Sequence, residues 1–570
     1  MHRPPLLPPQ ELHETLQEAQ RMLEIVRPHD AASSDYREAL TRLATSPRLQ
    51  ATSDHATHDD FSNFSTRNFE ATLMSARTPA SWSGSIDFAV DLSALASNTP
   101  WMQSAAVIHG AASLYSASMK ASFLLATDTS RGSPLETRQF STVFCTQRLA
   151  GATKDSLIKK PDSNHITVWS RGYAYALNIL DSNHSPCGIR EIAEILAKID
   201  LHSSNMPVLH DSVARLTSNI NRTSWSEIRG SLLDVEGNTS AFESLESGIL
   251  TVALEGYEAP TGIAQWLHDI KMNPNSLNRY GDLTTGLILY RNEKAGFFFD
   301  HIGVDGGIAH AVVESILQLA KSTSITNKEP DGVAEFKYLP INCNSTTMTI
   351  PAPPSLMAHK FAHIAMPEAA HHQGSIRTHA FMSLVTQLAL FKTFGTFEGH
   401  QCLEPVSIRH FEAGRVVTTY STTRESLALV QILALGEKAP TTAVSSFLTA
   451  RSDVIKLRKR GACPGSHFSV LRGVVDKMME EDPANVDAAI VSRVWKALNT
   501  VGQCWITGYD DNDPDGSLVA AMGNLFMPQQ LSVMYVGMRS VMLVASGDYA
   551  TRLEELVANF HWASSQIGQI

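Results

Sequence analysis

The sequence predicts a mixed α/β fold in which β-hairpins and amphipathic helices are interleaved. Three observations support this prediction: an apolar helical face near the N-terminus, two pairs of short apolar segments that flank turn residues, and a helical pattern after each pair. Because hairpins join antiparallel neighbours, an all-parallel doubly wound sheet is excluded.

The first element is a helix that opens the fold. Its apolar residues recur at steps of four and three, the period of one helical face: Leu12, Leu16, Ala19, Leu23 and Val26. Pro28 ends the run, because proline cannot continue a helix. From about Thr41 to Asn68 the chain is rich in Ser, Thr, Asp, Asn and His, so we expect a loop or a partly disordered segment there.

The next elements are two hairpins and the helices that follow them. The first hairpin joins residues 165–170 to 173–179 through Arg171-Gly172, and the second joins residues 286–290 to 297–299. Helical spacing follows at residues 189–199, at about 308–322 and at 381–391. A final strand pair is expected within residues 531–545.

Composition narrows the function before any motif is considered. The 46 Lys and Arg against 57 Asp and Glu give a net charge of −11 with histidine neutral, so no excess positive charge is available for nucleic acid or anionic lipid. No run of about 18 apolar residues is present, and the N-terminus lacks a signal-peptide core. We therefore expect a soluble cytoplasmic protein without nucleic-acid or membrane partners.

Motifs for metals and nucleotides are absent from the sequence. The six cysteines lie far apart and form no CxxC, so we expect reduced thiols, without a disulfide framework or a zinc site. Walker A, GxGxxG and GxSxG patterns are missing, and the closest match to HExxH, at His13-Glu14, lacks the second histidine. The sequence thus predicts no metal and no permanently bound cofactor.

One short motif does indicate chemistry. His301 and Asp305-Gly306 form the pattern His-x-x-x-Asp-Gly where an apolar strand ends and a helix begins. An imidazole at a strand end can face a cleft and take a hydroxyl proton near neutral pH, which suits acyl transfer from a thioester. The chain has 22 histidines, so the pattern alone leaves open an ordinary histidine that caps a turn.

Further motifs resemble the choline/carnitine O-acyltransferase family. Residues 278–282 (Asn-Arg-Tyr-Gly-Asp), followed by Asp300-His301, are similar to that family's Asn-Arg-Trp-x-Asp and later Glu-His. Leu7-Pro8-Pro9 looks like its proline-rich entry helix. Residues 380–391 resemble its Asp-Ala-Phe helix, and residues 404–415 resemble its Tyr-Glu-Ser block with the Gly-Arg step. These matches occur in the family's order and span most of the chain.

The resemblance implies two chloramphenicol-acetyltransferase-like α/β halves, each a mixed sheet covered by helices, with an active-site tunnel at their interface. Residues 76–344 would form the half that carries the catalytic histidine, and residues 1–75 with 345–570 would form the second half. His301 would be the catalytic base, and Asp305 would support it by pairing with Arg415. Thr507 would stand near the oxyanion, where the family places a serine.

The acceptor pocket departs from that of the family's carnitine enzymes, which hold a carboxylate with a tyrosine, a threonine and an arginine. Those positions are Leu403, Val416 and Ser466 here. A carboxylate buried there without a cation would be strongly disfavoured. Tyr280 and Ser407 complete the predicted pocket. We therefore expect an uncharged alcohol or polyol, with choline not excluded, in place of carnitine.

The donor side also departs from the family. Members that use free coenzyme A carry closely spaced lysines before the Asp-Ala-Phe helix, whereas residues 371–377 offer one permanent cation, Arg377. A phosphopantetheine arm on an acyl carrier protein has no 3′-phosphate to neutralise. The loss favours a carrier-protein donor over coenzyme A, unless Lys360 or Lys392 supplies the missing charge.

These departures resemble most the carnitine-acyltransferase-like product-release domain of fungal highly reducing polyketide synthases. The resemblance implies a monomeric enzyme that moves a polyketide acyl chain from a phosphopantetheine thioester to an alcohol or polyol. Coenzyme A-dependent choline or carnitine transfer and a catalytically silent binding protein are the alternatives. Sister families fit less well: the Asp-Phe-Gly-Trp-Gly of plant-type alcohol acyltransferases is missing, and Asp300 replaces the first histidine of condensation domains.

Overall fold

The computed structural model contains two main β-sheets, each covered by helices. The structure describes residues 4–32, 34–57, 63–79, 84–95, 100–119, 129–130, 133–160, 163–273, 275–323, 334–343, 359–366, 376–482, 484, 486–510, 515–523 and 529–570.

The strands are numbered in chain order. They are β1 (Ser85–Asp91), β2 (Thr129–Ser130), β3 (Ser133–Pro134), β4 (Thr146–Leu149), β5 (Ser156–Lys159), β6 (His165–Ser170), β7 (Tyr173–Asn178), β8 (Thr251–Leu254), β9 (Thr285–Leu289), β10 (Lys294–Asp300), β11 (Phe336–Leu339), β12 (Lys360–Ala365), β13 (His400–Ser407), β14 (Val416–Tyr420), β15 (Gly502–Tyr509), β16 (Leu518–Met522), β17 (Gln530–Val536) and β18 (Ser540–Ala545).

The α-helices are numbered in the same way. They are α1 (Leu12–Val26), α2 (Pro28–Ala32), α3 (Ser34–Ala44), α4 (Pro47–Thr57), α5 (Phe64–Ser75), α6 (Pro100–Met119), α7 (Ile189–Ser204), α8 (Val213–Asn219), α9 (Arg222–Leu233), α10 (Asn238–Glu246), α11 (Ile263–Met272), α12 (Gly306–Ser322), α13 (Thr378–Phe394), α14 (Arg424–Ala434), α15 (Thr441–Lys459), α16 (Pro464–Glu481), α17 (Val486–Asn499), α18 (Gly547–Thr551) and α19 (Leu553–Ile567).

Both main sheets are mixed. The first has the order β11-β7-β6-β8-β9-β10-β1-β16, in which β6, β8 and β9 run parallel and the other neighbours are antiparallel. The second has the order β12-β18-β17-β15-β13-β14, with β13, β15 and β17 parallel. Mixed sheets with helical covers confirm the predicted α/β class.

Strand β16 links the two sequence regions that the resemblance separates. It belongs to residues 345–570 but pairs antiparallel with β1 in the first sheet, with Ala89 opposite Ala520. The division of the chain into residues 76–344 and the remainder stays a prediction, and β16 is a strand that crosses it.

The predicted hairpins and helices are confirmed. Strands β6 and β7 are joined by Arg171 and Gly172, whose φ angles of 53° and 90° fit a two-residue turn that matches strand twist. Strands β9 and β10 form the second hairpin, and β17 and β18 form the C-terminal strand pair. Helices α1, α7, α12 and α13 lie where the apolar spacing predicts them.

The expected loop between Thr41 and Asn68 is wrong for the described residues. Helix α3 continues to Ala44, α4 covers Pro47–Thr57 and α5 begins at Phe64. These helices bury apolar side chains, among them Leu49 and Phe64. One of the polar residues caps a helix: the Asn63 side chain accepts a hydrogen bond from the main-chain NH of Thr66 at 3.1 Å.

Within the described ranges, no helix is both long and apolar enough to cross a membrane.

His467 of α16 ties the N-terminal helices to the rest of the fold. The residue is completely buried. Its Nδ1 lies 2.8 Å from Thr15 Oγ1 of α1, and its Nε2 lies 2.9 Å from Ser53 Oγ of α4. Burial lowers the pKa of His467 to about 4, because a charged ring would lose its hydration in this site. The ring is therefore neutral at physiological pH.

Acid should weaken the fold through His467. An unfolded imidazole has a pKa of about 6.5, so the stability contributed by the neutral buried ring is fully present above pH 6.5 and is lost as the pH falls towards 4. The full difference between these two pKa values corresponds to about 3 kcal/mol of unfolding free energy. Urea unfolding at pH 7.5 and pH 4.5 measures it: the wild type should lose more stability than His467→Gln. An equal loss in both proteins would contradict this account.

Candidate active site

A tight turn between β10 and α12 positions the candidate catalytic residue. This histidine turn comprises residues 300–305. The main-chain NH of His301 donates to the Gly84 carbonyl at 2.7 Å, which fastens the turn to the start of β1. The NH of Ile302 donates to Asp300 Oδ1 at 3.0 Å. The turn is therefore held by its own aspartate as well as by the sheet.

The His301 ring is held in one tautomer by its own turn. Nδ1 lies 2.9 Å from the Val304 carbonyl oxygen. A carbonyl can only accept, so Nδ1 carries the hydrogen and Nε2 is the unprotonated nitrogen. The side chain is 13% exposed, and the edge of Phe69 packs against it with ring centroids 5.2 Å apart. The ring is thus enclosed with a basic nitrogen available.

The electrostatic surroundings keep His301 neutral. Burial lowers its pKa from the ordinary value of 6.5. The Asp305 carboxylate, 3.5 Å from Nδ1, opposes this effect, while the Arg415 guanidinium adds to it. The net direction is downwards, so the imidazole is uncharged at neutral pH. A neutral imidazole can act as a general base.

Asp305 and Arg415, which the resemblance pairs, lie in contact. Nη2 of Arg415 is 2.8 Å and Nε is 3.1 Å from Asp305 Oδ1. The same guanidinium donates to the carbonyls of His301 at 2.5 Å and Ile302 at 2.9 Å. Burial alone would raise the pKa of Asp305, but the charge and hydrogen bonds of Arg415, together with His301 and the Gln139 amide, lower it overall. Arg415 therefore binds the ionised Asp305 carboxylate and two main-chain carbonyls of the histidine turn at the same time.

A buried chain of alternating charges supports the turn from the other side. Arg148 Nη1 lies 3.0 Å from Asp300, and Arg148 Nε lies 2.7 Å from Asp155. Asp155 also pairs with Arg222 at 2.8 Å, and Arg222 pairs with Asp282 at 2.5 Å. Asp282 is the last residue of the Asn-Arg-Tyr-Gly-Asp motif. It is the far end of this chain of ion pairs, which reaches the histidine turn at Asp300. No motif or spacing in the sequence marks Arg148, Asp155 or Arg222.

Gln139 is a fourth residue that supports the histidine turn from a distant part of the chain. It lies 166 positions before Asp305 in the chain and hydrogen-bonds to it twice. No spacing or motif considered in the sequence analysis marks this glutamine.

Four predicted residues share one face of the second sheet. Leu403 and Ser407 of β13, Val416 of β14 and Thr507 of β15 project to the same side, because register partners and residues two apart share a face. Tyr509 shares that face, and its ring stacks on His310 of α12 with centroids 5.2 Å apart. The face therefore meets the helix that begins after Asp305.

Thr507 lies on that face of β15. Its side chain is half-buried. Among the described residues, no hydrogen bond joins Thr507 to His301. Its place near an oxyanion thus stays a prediction.

Two further predicted pocket residues, Tyr280 and Ser466, lie outside the second sheet. Tyr280 is completely buried and stacks on Trp169 at 5.6 Å. It packs in a buried cluster with Trp225 and Phe242, and its place in the acceptor pocket stays a prediction. Ser466 of α16 accepts a hydrogen bond from Ser65 at 2.7 Å.

The predicted donor site is only partly described. Arg377 is exposed and directly precedes α13. Residues 371–375 of the same segment lie outside the described residues. Lys392, one of the two alternative sources of charge, places Nζ 4.9 Å from the centroid of the Trp562 ring.

Comparison with known proteins gives a consistent family match. The family model described as choline/carnitine O-acyltransferase matches residues 7–501. The chain is 25% identical over 338 residues to carnitine O-acetyltransferase of Columba livia, covering 54% of this chain and 52% of that protein. It is 25% identical over 385 residues to choline O-acetyltransferase of Gallus gallus, covering 62% and 59%. The chain thus spans little more than half the length of the relatives it matches.

Among solved structures, the chain is similar to a trichothecene 15-O-acetyltransferase from Fusarium sporotrichioides. The match has 8% sequence identity and a TM-score of 0.38, and it covers 87% of this chain and 93% of that chain. The family assignment therefore rests on the sequence match, which covers residues 7–501. By that match, the chain belongs to the choline/carnitine O-acyltransferase family.

Proposed function

We propose that this protein transfers an acyl group from a thioester to a hydroxyl, with His301 as general base. One observation carries the proposal: the Nδ1–H of His301 is bound by the Val304 carbonyl, so the free base is Nε2. Burial keeps that base unprotonated near neutral pH. The names of the relatives, carnitine and choline O-acetyltransferases, support O-acyl transfer.

The reaction is a direct transfer in a complex of both substrates. Nε2 of His301 removes the acceptor hydroxyl proton while the oxygen attacks the thioester carbonyl carbon. The resulting tetrahedral oxyanion stands near Thr507. It collapses with loss of the carbon–sulfur bond, and the protonated imidazole returns its proton to the thiolate. No covalent acyl-enzyme forms. The reaction is reversible, because an ester and a thioester differ only modestly in free energy compared with hydrolysis.

The acceptor is an uncharged alcohol or polyol in this proposal. Leu403 and Val416 offer apolar groups where a carnitine carboxylate would need polar ones, and Leu403 is only 3% exposed. Ser466 supplies no positive charge, and its hydroxyl is engaged by Ser65. An ionised carboxylate placed against these side chains would lack a partner, which is strongly disfavoured. Carnitine is therefore the poorer acceptor.

The donor is an acyl chain, a polyketide in this proposal, on the phosphopantetheine arm of a carrier protein. Of residues 371–377, only Arg377 carries a permanent positive charge, and a carrier-bound arm has no 3′-phosphate that needs more. The second candidate is a coenzyme A-dependent choline- or carnitine-type transferase, which the named relatives favour. A silent binding protein is the third.

A donor comparison separates these candidates. The same acyl group is loaded on coenzyme A and on an acyl carrier protein, and ester formation is timed with a polyol, choline and carnitine. We expect faster transfer from the carrier protein and the least product with carnitine. Faster transfer from coenzyme A would overturn the carrier-protein donor and leave acyl transfer intact. No ester from either donor would favour the binding protein.

A further inference from the structure

A short segment of the chain contacts both the histidine turn and the second sheet. This bridging segment, residues 136–142, contains the 3₁₀ helix Arg138–Thr142. Gln139 Nε2 donates to Asp305 Oδ2 at 3.0 Å, and the main-chain NH of Asp305 donates to Gln139 Oε1 at 2.6 Å. One amide group therefore fixes both the carboxylate and the main chain of Asp305.

A second residue of the bridging segment holds the same turn. Thr142 Oγ1 donates to the Gly303 carbonyl at 2.7 Å. Gln139 is 4% exposed, so its two hydrogen bonds are shielded from competing water. The bridging segment thus contacts the histidine turn at two positions, Gly303 and Asp305.

The other end of the bridging segment is fastened to the second sheet. The NH of Glu136 donates to the Arg409 carbonyl at 2.5 Å, and Arg409 Nε donates to the Glu136 carbonyl at 2.8 Å. Glu136 Oε2 accepts a hydrogen bond from the NH of Ala413 at 2.5 Å. Arg409 and Ala413 lie in the loop between β13 and β14, which also contains Arg415. Gln139 is therefore held from the same loop that supplies Arg415.

We propose that Gln139 is a positioning residue for the transfer reaction. It holds the Asp305 carboxylate on Arg415 and so leaves the Nδ1–H of His301 to the Val304 carbonyl. This inference rests on the proposed function and adds a residue that acts on His301 through Asp305. Without the amide, the carboxylate is free to turn towards Nδ1, which would favour the protonated imidazole.

The charged groups around His301 make this effect measurable. They are Asp300 of β10, Asp305 before α12, Arg415 before β14, and Glu70 of α5, whose carboxylate lies 3.5 Å from Arg415 and 3.1 Å from Arg138. Gln139 itself is uncharged, so its replacement by leucine changes no charge. A shift in the titration of His301 in that variant therefore reports a movement of the groups around it.

The test uses Gln139→Leu, which keeps the side-chain bulk and removes both hydrogen bonds. We expect kcat to fall about tenfold with KM changed less than twofold. We also expect the acid limb of the kcat profile to move to higher pH by about one unit. Arg409→Ala, which releases the far end of the bridging segment, should move the limb in the same direction by less.

The matched control is Gln401→Leu, a buried glutamine of β13 whose Nε2 donates to the Leu498 carbonyl. It should leave the acid limb in place. An unmoved limb in Gln139→Leu, with activity lost only in proportion to folded protein, would overturn the inference. The His301 titration is also followed by NMR of histidine-labelled protein. If the wild type transfers no acyl group, the proposed function fails, while the NMR shift still decides the role of Gln139.

Discussion

Replacing His301 with alanine should lower kcat for ester formation about 10³-fold, because the variant loses the group that removes the acceptor proton and later protonates the thiolate. Affinity for the thioester should change little, since the imidazole acts mainly in the transition state. Initial rates with a saturating acyl thioester, together with donor binding measured separately, check both expectations.

The matched control for this variant is His165→Ala. His165 also places a ring nitrogen near a main-chain carbonyl, with Nε2 2.7 Å from the oxygen of Ser244. It lies at the start of β6, away from the histidine turn, so the control should retain its rate. Full activity in His301→Ala would end the assignment of His301 as base.

Arg415→Ala should destabilise the fold by about 3–5 kcal/mol, because it leaves the Asp305 carboxylate buried without its main cation. The carbonyls of His301 and Ile302 would lose a donor in the same step. Arg415→Lys keeps the charge but loses the forked geometry, so it should restore stability only in part. Urea unfolding followed by tryptophan fluorescence measures the difference.

An exposed arginine gives the comparison that this prediction needs. Arg424 pairs with Glu24, but its side chain is 78% exposed. Arg424→Ala should therefore cost about 1 kcal/mol or less. Equal losses of unfolding free energy in the two alanine variants would contradict the view that burial makes the Asp305–Arg415 pair more important for stability than an exposed pair.

Local sequence signals predicted the elements whose structure depends on local rules. The buried face of helix α1 is visible in the sequence as apolar residues at helical spacing. The turn of the β6–β7 hairpin is marked by Arg171-Gly172. The region from Thr41 to Asn68 was mispredicted because its support comes from distant residues. Ser53 is buried against His467, a residue 414 positions later, and no local composition reveals such a contact.

The candidate site divides in the same way. The motif at His301 and Asp305 is compact in sequence. The resemblance to a known family then predicts that Asp305 pairs with Arg415. Gln139 and Arg148 reach the histidine turn from more than 150 positions away, so their roles depend on the fold.

The most direct test of the central claim is ester formation by the wild type in the presence of an acyl thioester and a panel of alcohols. We predict one ester and one free thiol per turnover, with the unmodified protein mass throughout. A stable acyl-protein adduct during turnover would contradict direct transfer. The absence of ester with every alcohol would contradict the claim that this imidazole performs acyl transfer at all.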